Sequence, residues 1–241
     1  MPLTIVIGTK RYSSWSLRAW MAASAACAGL REISISLRQP ETKAEILKWS
    51  PSGKVPLLID GDLRIWDSLA ICEYLAERFP NARLWPEQMA ARALARSVSA
   101  EMHAGFAALR QSCSMDVLED LPMADISAEL RADMERIDAI WRDCRERFGA
   151  GGPYLFGHFT IADAMYAPVA TRIRTYHLPV SAEAQAYCGA ILSHPAMLRW
   201  IEGAREQSRT AEKQHPVIAA DGMRIPDLGR AFGLHLASAT C

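Results

Sequence analysis

Three short stretches hold the residue types from which chemistry can be built. The first is Tyr12-Ser13-Ser14-Trp15-Ser16, which opens a helix. Serine is a preferred N-cap, so Ser13, Ser14 or Ser16 can close the helix start while a neighbouring hydroxyl stays free to donate. The free N–H groups and dipole of such an end favour an anion. The second is Val55-Pro56, at the mouth of the apolar run Leu57-Leu58-Ile59. Proline is tolerated as the first residue of a strand, where no ladder donor is needed. An X-Pro bond at such a bend is a candidate for cis, which turns the Val55 backbone outward. The third is Asp67-Ser68, ahead of Leu69, Cys72, Ala76 and Phe79 at helical spacing, and it reads as a second helix start. A free backbone edge and a helix N-terminus both suit an anionic, peptide-like ligand.

Regular elements must position these stretches. Leu3-Thr4-Ile5-Val6-Ile7 is apolar and β-branched, a buried strand. A loop follows from Gly8 to Tyr12. From Ser14 onward Leu17, Trp20, Met21, Ala25 and Ala28 share one helix face, and Gly29 stops the helix. Ile33-Ser34-Ile35-Ser36-Leu37 alternates with period two, a strand with one wet face. Residues 38–49 are polar, with one helical turn over 44–47. Asp60-Gly61 joins two apolar runs as a hairpin, and a helix spans 68–79. The order is βαβ then ββα: the crossover helix demands a parallel pair, and the hairpin adds antiparallel strands.

Beyond Phe79-Pro80-Asn81 the character changes to helix. One long helix is expected over 87–112 and another over 124–147, the latter with Met134, Ile137, Trp141 and Cys144 on its apolar face. Thr160-Ile161-Ala162-Asp163 is a capping box in its Asp form. Short helices follow over 182–193 and 195–207. The expected organisation is an α/β domain over 1–80, a linker over 81–86, an all-α domain over 87–215 and a patternless tail over 216–241.

The 241 residues carry 27 basic and 27 acidic side chains, a balance that argues against a nucleic-acid partner. No stretch has the length of a membrane span, and positions 1–20 lack a secretory leader pattern, so a cytoplasmic protein without membrane partners is expected. The six cysteines are widely spaced and read as reduced thiols, with Cys27 and Cys72 packed among apolar neighbours. The six histidines show no metal-ligand spacing, so no metal is expected.

Ser50-Pro51-Ser52-Gly53-Lys54-Val55-Pro56-Leu57-Leu58, with Asp67-Ser68 opening the next helix, resembles the glutathione-binding half of the cytosolic glutathione S-transferases. The helical half resembles the same family through Phe159-Thr160-Ile161-Ala162-Asp163-Ala164. The resemblance covers residues 3–207 and implies a thioredoxin-like βαβ-ββα domain followed by an all-α domain, usually in a homodimer. It implies glutathione as co-substrate and a small electrophile as its partner. Matching Ser16-x-Arg18 to the family's Cys-x-Arg/Lys puts Ser13 at the catalytic serine position, with Ser14 and Tyr12 as alternatives. A free thiol titrates near about 8.5, so a neutral-pH reaction needs a group that stabilises thiolate. A serine hydroxyl at a helix start does so as a donor, not as a nucleophile.

By the same resemblance Asp67 would pair with the γ-glutamyl ammonium and Ser68 with its carboxylate. The Val55-Pro56 segment would add the cysteinyl backbone as a strand through the Val55 N–H and C=O, and Lys54 would meet the glycyl carboxylate. The co-substrate pocket would lie between the domains, lined by Met102, His103, Phe106, Arg110 and Tyr166. Arg172 and Arg174 could attract an anionic co-substrate, but they read first as a solvated face. Zeta-type members, which isomerise maleylacetoacetate, carry Ser-Ser-Cys where this chain has Ser13-Ser14-Trp15. Omega-type members need a cysteine at Ser13. The expected activity is conjugation of glutathione to electrophiles, with hydroperoxide reduction at the same site. An isomerase or dehalogenase, or a non-catalytic binding protein on the same fold, are the alternatives.

Overall fold

The computed structural model describes residues 2–26 and 29–214. Cys27 and Ala28, and the tail expected from 216, lie outside the described residues.

The first part contains β1 (Thr4–Gly8), α1 (Ser14–Ala26), β2 (Arg31–Ile35), α2 (Thr42–Leu47), β3 (Leu57–Asp60), β4 (Leu63–Trp66) and α3 (Ser68–Arg78). The four strands form one mixed sheet in the order β2-β1-β3-β4. β1 and β2 run parallel from Thr4↔Arg31 to Gly8↔Ile35, while β3 pairs antiparallel with β1 and β4. This is the expected βαβ-ββα arrangement. Alternation sorts the strand side chains. Ile5, Ile7 and Leu58 join α1 and α3 in the main core, while Val6, Ile35 and Leu57 pack with Ile46 of α2.

One strand is displaced from its expected place. The period-two pattern suggested 33–37, but β2 starts two residues earlier. The ladder stops at Ile35 because its partner strand β1 ends at Gly8. The Leu37 N–H is then taken by Thr9 Oγ1 at 2.9 Å.

A single 3₁₀ turn, Pro80–Ala82, leads to the helical part: α4 (Met89–Ala104), α5 (Ala107–Ser112), α6 (Ala128–Phe148), α7 (Ile161–Tyr176), α8 (Ala182–Ser193) and α9 (Pro195–Gln214). The single helix expected over 87–112 is therefore two. Gly105 is extended and Phe106 is left-handed, with φ 60°, which breaks the ladder. Arg110 folds back over the break, donating to the Gly105 carbonyl at 2.9 Å and to those of Met102 and His103. These bonds satisfy carbonyls that a helix end leaves open. α9 runs on past the expected 207 to Gln214.

α7 is the central helix: all of its residues except Arg174 and Tyr176 are buried. A helix apolar on every side belongs in a core. Its start is set by the fully buried Asp163. This carboxylate accepts from the Thr160 N–H (2.8 Å), the Thr160 hydroxyl (2.9 Å), the Leu155 N–H (3.1 Å) and the Tyr187 hydroxyl (3.0 Å). The expected capping box is thus present, and it also ties α7 to the preceding loop and to α8.

α9 returns to the first part of the chain. Trp200 Nε1 donates to the Lys10 carbonyl at 2.8 Å, and the Lys10 N–H donates to Gln207 Oε1 at 2.9 Å. Both main-chain groups of this residue, in the loop before Tyr12, are held from α9.

Candidate functional site

The loop after β1 delivers the serines. The Tyr12 and Ser13 N–H groups both donate to the Thr9 carbonyl, at 3.1 and 3.0 Å, which turns the chain into α1. The Leu17 N–H then donates to the Ser13 carbonyl at 3.0 Å, the first bond of the helix ladder. The Ser13 side chain does not cap that helix by bonding a backbone N–H. Its hydroxyl donates to Ser16 Oγ at 2.7 Å, and Ser16 Oγ also accepts the Gly8 N–H at 3.1 Å.

Val55-Pro56 precedes β3, and the peptide bond between them is cis. Among the described residues neither the N–H nor the C=O of Val55 has a hydrogen-bond partner. A short length of strand edge is left open there.

Asp67 precedes α3 with φ 73° and ψ 133°, a region that side chains other than glycine's rarely adopt. Its Oδ1 accepts the Leu69 N–H at 2.9 Å and so caps the helix. Its Oδ2 lies 3.3 Å from His103 Nε2 at the end of α4. Beside it Ser68 is almost wholly buried, and its hydroxyl has no partner among the described residues. Buried hydroxyls are normally bonded, so this one awaits an acceptor or donor.

These three stretches meet in one cleft of ≈ 860 Å³. Tyr12, Ser13 and Ser14 line one side, Lys54, Val55 and Pro56 another, and Asp67 and Ser68 a third. The remainder of the wall includes Trp15, Leu37, Ile46, Trp66 and His103. An open strand edge, an orphan hydroxyl and two helix starts facing one space can hold an extended anionic peptide.

Residues 12–78 match the sequence profile of the glutathione S-transferase N-terminal domain, and residues 126–203 that of the C-terminal domain. The chain belongs to the glutathione S-transferase family. A probable maleylacetoacetate isomerase from Vibrio cholerae is 47% identical over 64 residues, 25% of this chain and 30% of that protein. Glutathione S-transferase hmp2 from Hypomyces subiculosus is 27% identical over 186 residues, 69% of this chain and 78% of the relative. This chain matches less than a third of the length of the first relatives, the Vibrio protein included. A glutathione transferase homolog from Burkholderia gl BGR1, solved with bound glutathione, shares the fold. Its TM-score is 0.65 at 20% identity, over 86% of this chain and 99% of that one.

Within this transferase fold, the expected co-substrate residues separate into two groups. His103 lines the cleft. Arg110 does not line it, but its guanidinium carbon lies 4.8 Å from the centre of the Trp15 indole, which does. Met102, Phe106 and Tyr166 do not line it, which corrects the expectation. Met102 and Phe106 are buried in the main core, and Tyr166 is fully buried with its hydroxyl on the Val98 carbonyl at 3.2 Å. All three belong to the main core instead. Arg172 and Arg174 are not on a solvated face either. Arg172 is buried and donates to the Cys113 and Pro168 carbonyls, and Arg174 donates to the Val117 carbonyl.

Two features of the site lie outside the sequence-based candidates. Trp15 is on the cleft wall, although its place at the exposed start of α1 was a signal in plain view. Arg18, one turn on, is buried with Nε and Nη1 unpartnered. Burial first, and then repulsion from Arg110 and Arg172, pushes its pKa down to about 9. Burial and Arg110 push Arg172 down to about 10.

Proposed function

We propose that this chain is a serine-type glutathione S-transferase that activates glutathione in this cleft and transfers its thiolate to a small electrophile. The observation that carries the reading is the meeting of Ser13, the open Val55 edge and the Asp67-Ser68 helix start in one cleft. Each of the three suits a different part of the tripeptide. The Val55 N–H and C=O would pair with the cysteinyl backbone as an added strand. The orphan Ser68 hydroxyl and the start of α3 would take the γ-glutamyl carboxylate, with Asp67 on the ammonium. Lys54, exposed at the rim, would meet the glycyl carboxylate.

The cysteinyl sulfur would then lie toward the start of α1. There Ser13 would turn its proton from Ser16 Oγ to the sulfur, so that the bound thiol releases its own proton to solvent. The thiolate forms a bond to the electrophilic carbon while the bond to the leaving group breaks, or adds across an activated double bond. Reduction of a hydroperoxide by the same thiolate fits the same site. Domain limits at 80 and 87, a homodimer and a cytoplasmic location belong to this reading.

Calorimetric titration with glutathione, followed by a conjugation assay with 1-chloro-2,4-dinitrobenzene, tests it. Binding together with turnover above the spontaneous rate is expected. Binding without turnover of aryl halides, hydroperoxides or alkyl halides would make the chain a non-catalytic member of the fold. Absence of binding would remove the reading altogether.

A further inference from the structure

The geometry points to an anion-binding corner at the co-substrate end of the cleft, built from Arg110 and Arg18 around Trp15, that selects electrophiles carrying a carboxylate. This deepens the transferase reading and rests on it. Trp15 is 36% exposed and shares its indole between two guanidiniums, with Arg18 Cζ at 4.4 Å and Arg110 Cζ at 4.8 Å. The His103 ring meets the same indole edge-on at 5.1 Å. The arginines surround the part of the indole that faces the cleft with positive charge.

No carboxylate pairs directly with this charge among the described residues. Neither Arg18 nor Arg110 forms an ion pair with a carboxylate among the described residues, and neither does Arg172 behind them. Arg110 is held by neutral carbonyls through Nε and Nη2, and its Nη1 takes part in no hydrogen bond. Arg18 Nε and Nη1 are buried without any acceptor. A guanidinium taken out of water with no acceptor is among the costliest groups a fold carries. Asp67 acts on Arg18 and Asp133 on Arg110 only through space, with Asp67 bonded to the Leu69 N–H beside His103 and Asp133 to the Leu109 N–H. Burial first, and Arg110 after it, lowers the pKa of both Arg18 and Arg172.

A carboxylate beside Trp15 would answer it. The free Nη1 of Arg110 supplies a charge-assisted donor, and the buried Arg18 and Arg172 supply a field that a narrow cleft focuses. Ser13 and Trp15 lie two residues apart on one helix start, so a sulfur at the first and an anion at the second occupy neighbouring parts of one cleft.

The test is binding of two unreactive probes that differ only in charge, 3,5-dinitrobenzoate and 3,5-dinitrobenzamide, with S-methylglutathione at saturation. The benzoate should bind at least about tenfold more tightly than the amide. Arg110→Gln should bring the two toward parity, and Arg110→Lys should retain part of the preference. In the parent protein the preference should shrink between ~20 mM and ~500 mM salt, a measurement that does not depend on how the variants fold. S-methylglutathione affinity should be unchanged in Arg110→Gln. Equal binding of the two probes by the parent would overturn the proposal. So would a loss of S-methylglutathione affinity in Arg110→Gln, because the charge would then serve a carboxylate of the tripeptide itself. Should S-methylglutathione not bind the parent at all, the transferase reading fails, while the comparison of benzoate and amide still decides the anion site.

Discussion

Ser13 Oγ donates to Ser16 Oγ at 2.7 Å, so the hydroxyl at the mouth of the cleft points its proton inward. Ser16 Oγ accepts a second bond from the Gly8 N–H. A thiolate must therefore draw the Ser13 proton away from Ser16, whose own proton is then free to bond Ser13 Oγ. The resulting chain runs from the Gly8 N–H through two hydroxyls to the sulfur, and such chains polarise cooperatively. Ser13→Ala should raise the pKa of the bound thiol by about one to two units while glutathione affinity stays within a few-fold. Ser16→Ala should raise it in the same direction but by less than about one unit, although Ser16 would not touch the ligand. Thiolate absorbance against pH measures both. A shift in Ser14→Ala but not in Ser13→Ala would move the donor role to Ser14.

Asp67 has two duties that substitution can separate. Its Oδ1 caps α3, and its charge is assigned to the glutathione ammonium. Asp67→Ala should lose a cap, about 0.5–2 kcal/mol of stability. It should also lose at least about tenfold in glutathione affinity, or roughly 1.4 kcal/mol. Asp67→Asn keeps an acceptor oxygen for the Leu69 N–H and should hold most of the stability, yet lose the affinity. Melting curves and calorimetric titration of the pair decide it. Equal affinity in all three proteins would leave Asp67 as a helix cap only.

Asp163 is a hub rather than a simple cap, since four donors converge on it inside the core. Each buried donor left unpaired costs about 1–3 kcal/mol. Asp163→Ala should destabilise the protein by at least about 3 kcal/mol in urea unfolding, and the folded fraction should bind glutathione as the parent does. A loss below about 1 kcal/mol would mean that water replaces the carboxylate.

The described cysteines Cys72, Cys113, Cys144 and Cys188 are all buried and unbridged. Burial pushes their thiols up, to about 12 for Cys72, Cys144 and Cys188 and to about 11 for Cys113. A raised pKa withholds the thiolate, which is the reactive form. At pH 8 the native protein should give none of these four to Ellman's reagent in the fast phase, and all of them after denaturation. Rapid reaction of any of the four, identified by mass spectrometry, would show that the site opens readily.

The sequence was most informative where one local rule decides the outcome. Pro56 fixes the start of a strand, Asp60-Gly61 a hairpin, and Asp67-Ser68 a helix start, and each was legible from a few residues. The Thr160–Asp163 box was equally clear. What escaped depended on distant partners. β2 is displaced because β1 ends at Gly8, which alternation within β2 cannot reveal. The break at Gly105-Phe106 sits inside a continuous apolar pattern, and its purpose shows only once Arg110 is seen folding back over it. Met102 and Phe106, four residues apart, suit a pocket wall and a core alike, and only packing separates the two. Arg18 is buried by elements distant in the sequence, which its place in α1 does not reveal.

Lys10 stands just ahead of the serine loop, yet its carbonyl and its N–H are satisfied by Trp200 and Gln207. On the ribosome, residues 3–78 emerge with every strand of the sheet and both serine-bearing turns, but the segment leading into Tyr12 still lacks both of its main-chain partners. Those partners are translated about two hundred residues later. The loop that leads into the cleft therefore gains two of its main-chain bonds only when α9 has been made and has docked.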